Sequence, residues 1–294
     1  MWLAKRGVGH FHCDLGAGAA RHGGSRHSLR PGDELDGSAV RCTHAAAHRA
    51  FGDSPMTRPT CFVLVHGAWH GGWCWERVVA LLRARGHQVT APTLTGLGER
   101  SHLLAPGITL AVFVNDIVNH LIWESLTDVV LVGHSFGGAV ISGVADRVPE
   151  RLRHLVFLDA HILESDETTF DRMDPDIVNT RILAAARASG GVSLPVPPAR
   201  AFGVRDPEAA AWIEARMTPH PLDSYRSSVS LSRPVGAGVP LSYVVCSDPL
   251  YGPLEISRAR VRSYGWPIVD LPTGHDAMVT APQGLAETLE QIVG

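Results

Sequence analysis

The 294-residue sequence lacks a continuous apolar segment long enough for a membrane span or a signal peptide. It also lacks an excess of either charge, with 26 Lys and Arg against 29 Asp and Glu, so neither a nucleic-acid nor an acidic membrane partner is expected. The five cysteines are odd in number and show no CxxC spacing, which argues against a disulfide framework or a zinc cluster. These absences favour a reduced, cytoplasmic protein. They leave open whether it is a monomer or a homodimer.

Residues 1–57 are poor in large aliphatic side chains. They contain no isoleucine and show neither a helical nor a strand period, so they cannot bury a core of their own. We predict that this N-terminal extension is disordered. His10, His12 and Cys13 could suggest a metal site within it, but a solvated tail is the favoured interpretation.

From residue 58 onwards, strand and helix patterns alternate. Short apolar runs predict strands at 61–65, 87–92, 128–134, 154–160, 241–247 and 267–271. Apolar residues at helical spacing predict helices at 75–86, 110–124, 136–148, 254–265 and 282–293. This alternation is typical of an α/β domain with a mostly parallel, doubly wound sheet. Residues 161–239 interrupt it with helical patterns and proline-rich pieces, and we interpret them as an insertion over one end of the sheet.

Ser135 stands in the segment VVLVGHSFGGAV, between the strand at 128–134 and the helix at 136–148. A GxSxG motif at a strand-to-helix turn is the context of a nucleophilic serine, because the glycines permit a tight turn that exposes the hydroxyl. The helix N-terminus behind the serine also favours developing negative charge. The alternative is a small residue at an ordinary turn.

A serine hydroxyl needs a base, and the base needs a carboxylate that orients it. His275 follows the last predicted strand and is therefore expected at the same sheet edge as Ser135. Asp248, directly after the strand at 241–247, is the favoured carboxylate, and Asp159 at the end of the strand at 154–160 is its rival. Asp276 adjoins His275 but is expected to face elsewhere.

The glycine-rich loop VHGAWHGGW, residues 65–73, follows the first strand and could bring backbone N–H groups near Ser135. The N–H groups of Ala68 and Phe136 are the predicted donors to an oxyanion. His66, Trp69 and, from the insertion, Trp212 are the predicted substrate-binding residues. The sequence shows no metal-ligand constellation and no nucleotide-binding loop, so no cofactor is expected.

Together, the HGAW loop, the GHSFGG turn, VVCSD and GHDAM resemble the α/β-hydrolase fold over residues 58–294. Within that fold they look like the plant methyl-esterase and hydroxynitrile-lyase branch and its bacterial relatives. The resemblance implies a helical cap at about 161–239 and the chain order nucleophile, acid, base. The lyases of this branch have threonine where this chain has Gly67 and lysine where it has Asp276, so the resemblance implies hydrolysis rather than cyanide release.

The sequence therefore predicts a serine hydrolase without a cofactor, acting through an acyl-enzyme on a small or medium, apolar or aromatic carboxylic ester. Lactone, amide or carbon–carbon bond hydrolysis on the same residues is one alternative. A small-molecule receptor that retains the triad but turns over slowly is another, because fold alone does not define function.

Met56 stands just before the first predicted strand, so a protein that begins there should retain full activity and thermal stability. Ester hydrolysis and a thermal melt of the two forms would test this expectation. A clear loss of either property would show that residues 1–55 contribute to the folded protein.

Overall fold

The computed structural model describes residues 59–294. The predicted extension 1–57, including His10, His12 and Cys13, lies outside the described residues.

Eight strands and nine α-helices, joined by short 3-10 turns, make up the described part of the chain. The strands are β1 (Cys61–Val65), β2 (Gln88–Thr90), β3 (Val129–His134), β4 (Leu152–Leu158), β5 (Ser193–Leu194), β6 (His220–Pro221), β7 (Leu241–Cys246) and β8 (Ile268–Leu271). The helices are α1 (Glu76–Ala84), α2 (Leu110–Trp123), α3 (Gly137–Arg147), α4 (Pro175–Ser189), α5 (Pro207–Glu214), α6 (Leu222–Arg226), α7 (Glu255–Ser263), α8 (Ala277–Thr280) and α9 (Pro282–Val293). All eleven predicted elements are confirmed, most of them to within two residues at each end.

Six strands form one parallel sheet in the order β2-β1-β3-β4-β7-β8. The central strand β3 is buried at every residue, which accounts for its uninterrupted apolar sequence VVLVG. A strand buried on both faces requires helices on both sides of the sheet. The predicted doubly wound α/β architecture is therefore confirmed.

The strand order determines which helices cover which face. The connection from β1 through α1 to β2 runs toward one edge, whereas those through α2, α3 and α7 run toward the other. Right-handed crossovers consequently place α1 on one face and the other three helices on the opposite face. In agreement, α2 packs on α3, while α1 packs on α8 and α9. The order reverses between β1 and β3, and ligands bind at the carboxyl ends of strands at such a reversal.

The predicted insertion at 161–239 lies between β4 and β7. It contains α4, α5 and α6 and a short antiparallel pair formed by β5 and β6. Asp174 caps α4 by accepting the N–H of Asp176, and Asp206 caps α5 by accepting the N–H of Ala209. Pro175 and Pro207 occupy the first helical position, where a missing N–H costs nothing.

Within residues 59–294, no helix is both long enough and apolar enough to cross a membrane.

Leu131 in the centre of β3 is fully buried, so Leu131→Ala should lower the free energy of unfolding by about 2–5 kcal/mol, through lost burial and the cavity left behind. Denaturant unfolding measures this change. Leu183→Ala is the matched control, because Leu183 in α4 is 56% exposed and should tolerate the same truncation. Equal losses in the two variants would contradict the placement of β3 at the centre of the core.

Candidate active site

Ser135 lies on a sharp turn between β3 and α3. Its φ of 53° is in the left-handed region, which costs a non-glycine residue on the order of 1–3 kcal/mol. The turn is possible because Gly133 has no side chain: a Cβ there would lie 2.6 Å from the carbonyl oxygen of Gly137. The Ser135 N–H donates to Leu158 at the end of β4, and its carbonyl accepts the N–H of His161. The strained turn is thus held by the neighbouring strand and the loop that follows it.

His275 lies within hydrogen-bonding distance of Ser135. Its Nε2 is 2.9 Å from the Ser135 Oγ, so the ring can accept the hydroxyl proton. The ring reaches this position from the loop after β8, because the parallel strands end at one edge of the sheet. The structure thus brings Ser135 and His275 into hydrogen-bonding contact, as the sequence predicts.

The carboxylate that contacts His275 belongs to Asp159. The Nδ1–H of His275 donates to the Asp159 Oδ2 at 2.7 Å, and Asp159 is completely buried. Asp159 follows β4, which lies beside the strand that carries Ser135.

The favoured expectation for Asp248 is therefore wrong. The backbone N–H of Asp248 donates to the carbonyl of Thr273, and this bond fixes a turn that directs the side chain outward. The carboxylate instead pairs with Arg205 at 3.1 Å on the protein surface, where its side chain is 63% exposed.

Arg258 adds a partner that the sequence patterns do not indicate. This buried arginine of α7 lies 3.4 Å from the second carboxylate oxygen of Asp159 and also pairs with Glu255. Buried charges require such partners, because an unpaired carboxylate would lose its hydration without compensation. The helical spacing of 255–263 could have suggested an inward-facing arginine, but not which acid it meets.

The loop after β1 passes directly over the Ser135 turn. A Cβ on Gly67 would lie 2.8 Å from the Cβ of Ser135, so the backbone approaches as closely as it does only because this residue is glycine. Among the described residues, the N–H groups of Ala68 and Phe136 donate to no acceptor. The N–H of Trp69, in contrast, donates to the Nδ1 of His220. The two N–H groups predicted to donate to an oxyanion thus have no acceptor within the described part of the chain.

His66 does not line a pocket, contrary to its predicted role in substrate binding. The residue is completely buried, its Nδ1–H donates to the carbonyl of Gly67, and its Nε2 accepts the N–H of Leu94. Burial lowers the pKa of His66 to about 3, so the ring is neutral and serves both bonds. It holds the loop after β1 in position and offers no atom to a substrate.

A cavity of about 440 Å³ opens between the cap and the end of the sheet, and Trp69 lies in its wall. Neither Ser135 nor His275 lines this cavity, whereas the aromatic residues Phe202 and Tyr251 do. The ring of Tyr251 stacks on that of His275 with centroids 4.0 Å apart, and Phe202 stacks on it at 6.1 Å. Two rings in the cavity wall are therefore in contact with the ring of His275.

Trp212 is not part of the wall of this cavity, and its predicted contact with substrate stays a prediction. Its ring packs edge-on against Trp73 at 5.2 Å, and the guanidinium groups of Arg77 and Arg216 lie over its face. These contacts attach α5 to the loop after β1. Helical spacing on α5 indicates that a residue faces inward, but it does not distinguish the pocket from the packing around it.

A buried polar cluster, formed by His70, His134 and Asp276, lies behind the catalytic loops. His70 donates from Nδ1 to the carbonyl of Ala68, and its Nε2 is 3.2 Å from the Asp276 carboxylate. His134 donates from Nε2 to the carbonyl of His275. Asp276, expected to face elsewhere than the His275 ring, pairs instead with His70. The cluster ties the loop after β1 to the loop after β8.

The histidines around the site differ in pKa because their partners differ. Burial lowers the pKa of His161 to about 3 and those of His134 and His220 well below the ordinary value. Burial also acts on His70, but the attraction of Asp276 outweighs it and raises the pKa. Among these histidines the pKa is lowered by burial in all except His70, where the neighbouring Asp276 raises it.

A serine–histidine–aspartate chain at the strand reversal of a parallel sheet, beneath a helical cap, defines the α/β-hydrolase class. Residues 62–288 match the model of the alpha/beta hydrolase family, and the chain belongs to that family. The fold expected from the resemblance is confirmed.

Comparison with characterised proteins narrows the class. The chain is 37% identical over 237 residues to the carbendazim hydrolyzing esterase of Nocardioides sp. (strain SG-4G), covering 78% of this chain and 97% of that protein. It is 27% identical to methylesterase 7 of Arabidopsis thaliana, over 79% of this chain and 95% of the relative. An extracellular α/β-hydrolase from a Paenibacillus species has the same fold, with a TM-score of 0.66, 23% identity, and coverage of 80% and 99% of the two chains. The protein is an esterase-type α/β-hydrolase, and the predicted likeness to plant methylesterases and bacterial relatives is confirmed.

The buried neutral histidines predict that stability falls below pH 6.5. Unfolded histidine takes up a proton near pH 6.5, whereas folded His66 and His161 remain neutral down to about pH 3. Each should therefore lower the free energy of unfolding by up to about 1.4 kcal/mol per pH unit as the pH decreases. His70 has a raised pKa, so its contribution has the opposite sign: it is fully present below the unfolded pKa and is lost as the pH rises through the folded one.

Denaturant unfolding between pH 6.5 and 5 measures this slope. His161→Gln should reduce this slope by up to about 1.4 kcal/mol per pH unit, which is the contribution of one proton. His102→Gln, at an exposed position, should leave it unchanged. The same slope in wild type and His161→Gln would contradict the assignment of His161 as a buried neutral ring.

Proposed function

We propose that the protein hydrolyses carboxylic esters through an acyl-enzyme, with Ser135 as nucleophile, His275 as general base and acid, and Asp159 as the orienting carboxylate. The observation that carries the proposal is the continuous hydrogen-bonded chain from the Ser135 Oγ to His275 and on to Asp159, at 2.9 and 2.7 Å. A base within such reach of a hydroxyl, itself oriented by a third group, is the arrangement that activates a serine.

In the first half-reaction the Ser135 Oγ attacks the ester carbonyl while its proton passes to the His275 Nε2. The carbonyl oxygen becomes an oxyanion, and the N–H groups of Ala68 and Phe136 donate to it. Collapse of the tetrahedral intermediate breaks the bond to the alcohol oxygen, which takes the proton from His275. The alcohol leaves and the acyl group remains on the serine.

In the second half-reaction His275 takes a proton from a water molecule, which attacks the acyl-enzyme carbonyl. The second tetrahedral intermediate collapses to release the acid, and the Ser135 Oγ recovers its proton from His275. Asp159 stabilises the charged imidazole in both halves, because its carboxylate accepts the Nδ1–H throughout.

The side chains beside the serine favour hydrolysis over cyanide elimination. Gly67 provides no hydroxyl, and its backbone already lies against Ser135. Asp276 provides a carboxylate rather than an ammonium group, and that carboxylate pairs with His70. Small or medium esters with an apolar or aromatic part suit the ring-lined cavity beside the site.

Asp159→Asn should lower kcat for a p-nitrophenyl ester on the order of 10³- to 10⁴-fold, because the amide holds the wrong tautomer of His275. Asp248→Asn is the matched control and should leave turnover near the wild-type value, since that carboxylate pairs only with Arg205 on the surface. Ser135→Ala should abolish both turnover and labelling by a fluorophosphonate. The reverse ranking of the two aspartate variants would overturn the assignment of the acid, and activity in Ser135→Ala would overturn the mechanism.

A further inference from the structure

Arg181 is a cation in the wall of the substrate cavity without an acidic partner. It lies on α4 of the cap and is half-buried, and no carboxylate of the described residues forms an ion pair with it. Arg258, which also lies close to the site, has two such partners in Asp159 and Glu255. Removing a cation from water without a counter-ion is unfavourable, so the position of Arg181 needs an explanation.

The contacts of Arg181 orient the guanidinium but are made to aromatic rings, tyrosine hydroxyls and a sulfur rather than to a carboxylate. Its face lies over the rings of Trp69 and Tyr225, at 5.3 and 5.6 Å from their centroids. One terminal nitrogen donates to the Tyr251 hydroxyl at 3.3 Å and the other approaches the Met173 sulfur at 3.6 Å, which is a weak acceptor. Stacking fixes the plane of the group and leaves donors along its edge, the geometry in which arginine receives a carboxylate with two parallel hydrogen bonds.

The rest of the cavity wall reinforces this positive charge. Arg200 also lines the cavity, and neither Asp nor Glu is among the lining residues. The remaining wall is mainly apolar, formed by residues such as Leu194, Pro197 and Phe202. A cleft with apolar walls and charge of one sign attracts ligands of the opposite sign, because the field is focused where water is scarce.

Two aromatic residues, Trp69 and Tyr251, connect Arg181 to the neighbourhood of the reacting groups. Trp69, under its guanidinium, follows the oxyanion donor Ala68 in the chain. Tyr251, which accepts its hydrogen bond, stacks on the ring of His275 at 4.0 Å. An anion held by Arg181 would therefore lie against the same aromatic residues that adjoin His275 and the loop after β1.

We infer that the preferred substrates are esters that carry a second, free carboxylate, separated from the scissile ester by a short apolar spacer and bound by Arg181. This inference rests on the proposed esterase function and narrows its substrate class. Arg200, exposed at the same cavity, attracts the anion, and the apolar wall packs against the spacer. The carboxylate can belong to the acyl or to the alcohol portion, and both arrangements use the same cation.

Matched ester pairs test the inference in two arms. The acyl arm compares p-nitrophenyl hydrogen adipate with the p-nitrophenyl esters of adipamic acid and 6-methylheptanoic acid, which replace the carboxylate by an amide or an isopropyl group. The alcohol arm compares 3-carboxyphenyl acetate with 3-carbamoylphenyl acetate. In at least one arm, kcat/KM of the carboxylate ester should exceed that of its neutral counterparts by about tenfold or more, as expected for a charge-assisted hydrogen bond.

Variants of Arg181 then separate binding from packing. Arg181→Met retains length and apolar contact but removes the charge, so the ratio of kcat/KM between charged and neutral esters should fall to about one, mainly through KM. Arg181→Lys should recover part of the ratio. Arg187→Met, on the exposed face of the same helix, is the matched control and should keep the wild-type ratio. If Arg181 served only to pack the cap, Arg181→Met would lower the melting temperature and change kcat/KM for every ester alike.

The outcomes distinguish the two proposals. Serine-dependent turnover without a preference for the carboxylate in either arm, or an unchanged ratio in Arg181→Met, overturns the inference and leaves the esterase function intact. If no ester shows serine-dependent turnover, the proposed function fails, and calorimetry with monomethyl adipate decides the inference by itself. Binding to Ser135→Ala that is lost in Ser135→Ala/Arg181→Met supports the carboxylate site, and absence of binding to Ser135→Ala overturns it.

Discussion

The reversal of strand order between β1 and β3 is the constraint on which the site depends. It places the loop after β1 and the turn after β3 side by side, with the helices on their two sides diverging. Gly67 then approaches Ser135 closely, and Ala68 follows it in the same loop. A sheet with the same strands in simple sequential order would have no such crevice, and the loop after β1 would not pass over the Ser135 turn.

Polar groups buried behind the site keep these loops in register. Neutral His66 fixes the loop after β1 by its two hydrogen bonds, and the ion pair between His70 and Asp276 joins that loop to the segment after β8. His134 holds the backbone of His275 from beneath. Each of these bonds is made in a dry interior, where a broken hydrogen bond is costly, so the serine and its base are held to a narrow range of separations.

Local patterns were sufficient for the elements and for the proximity of Ser135 and His275. The glycines around Ser135 and the apolar run before it indicate the strained turn. The position of His275 after the last strand indicates that it lies at the same edge of the sheet as Ser135. The choice between Asp159 and Asp248 could not be made this way, because both follow strands that end at that edge. Likewise, His66 occupies a plausible position in the sequence, but its complete burial and two internal hydrogen bonds, which spacing does not reveal, direct it into the protein interior.

By itself the sequence determined the order of strands and helices, the serine turn and the loop that faces it, because periodicity and glycine spacing act over a few residues. Only the tertiary structure decided which carboxylate serves the base. Asp159 follows the strand next to that of Ser135, whereas one backbone bond from Asp248 to Thr273 directs the rival side chain to the surface. The cavity and the unpaired Arg181 in its wall arise in the same way, from contacts between segments distant in the chain.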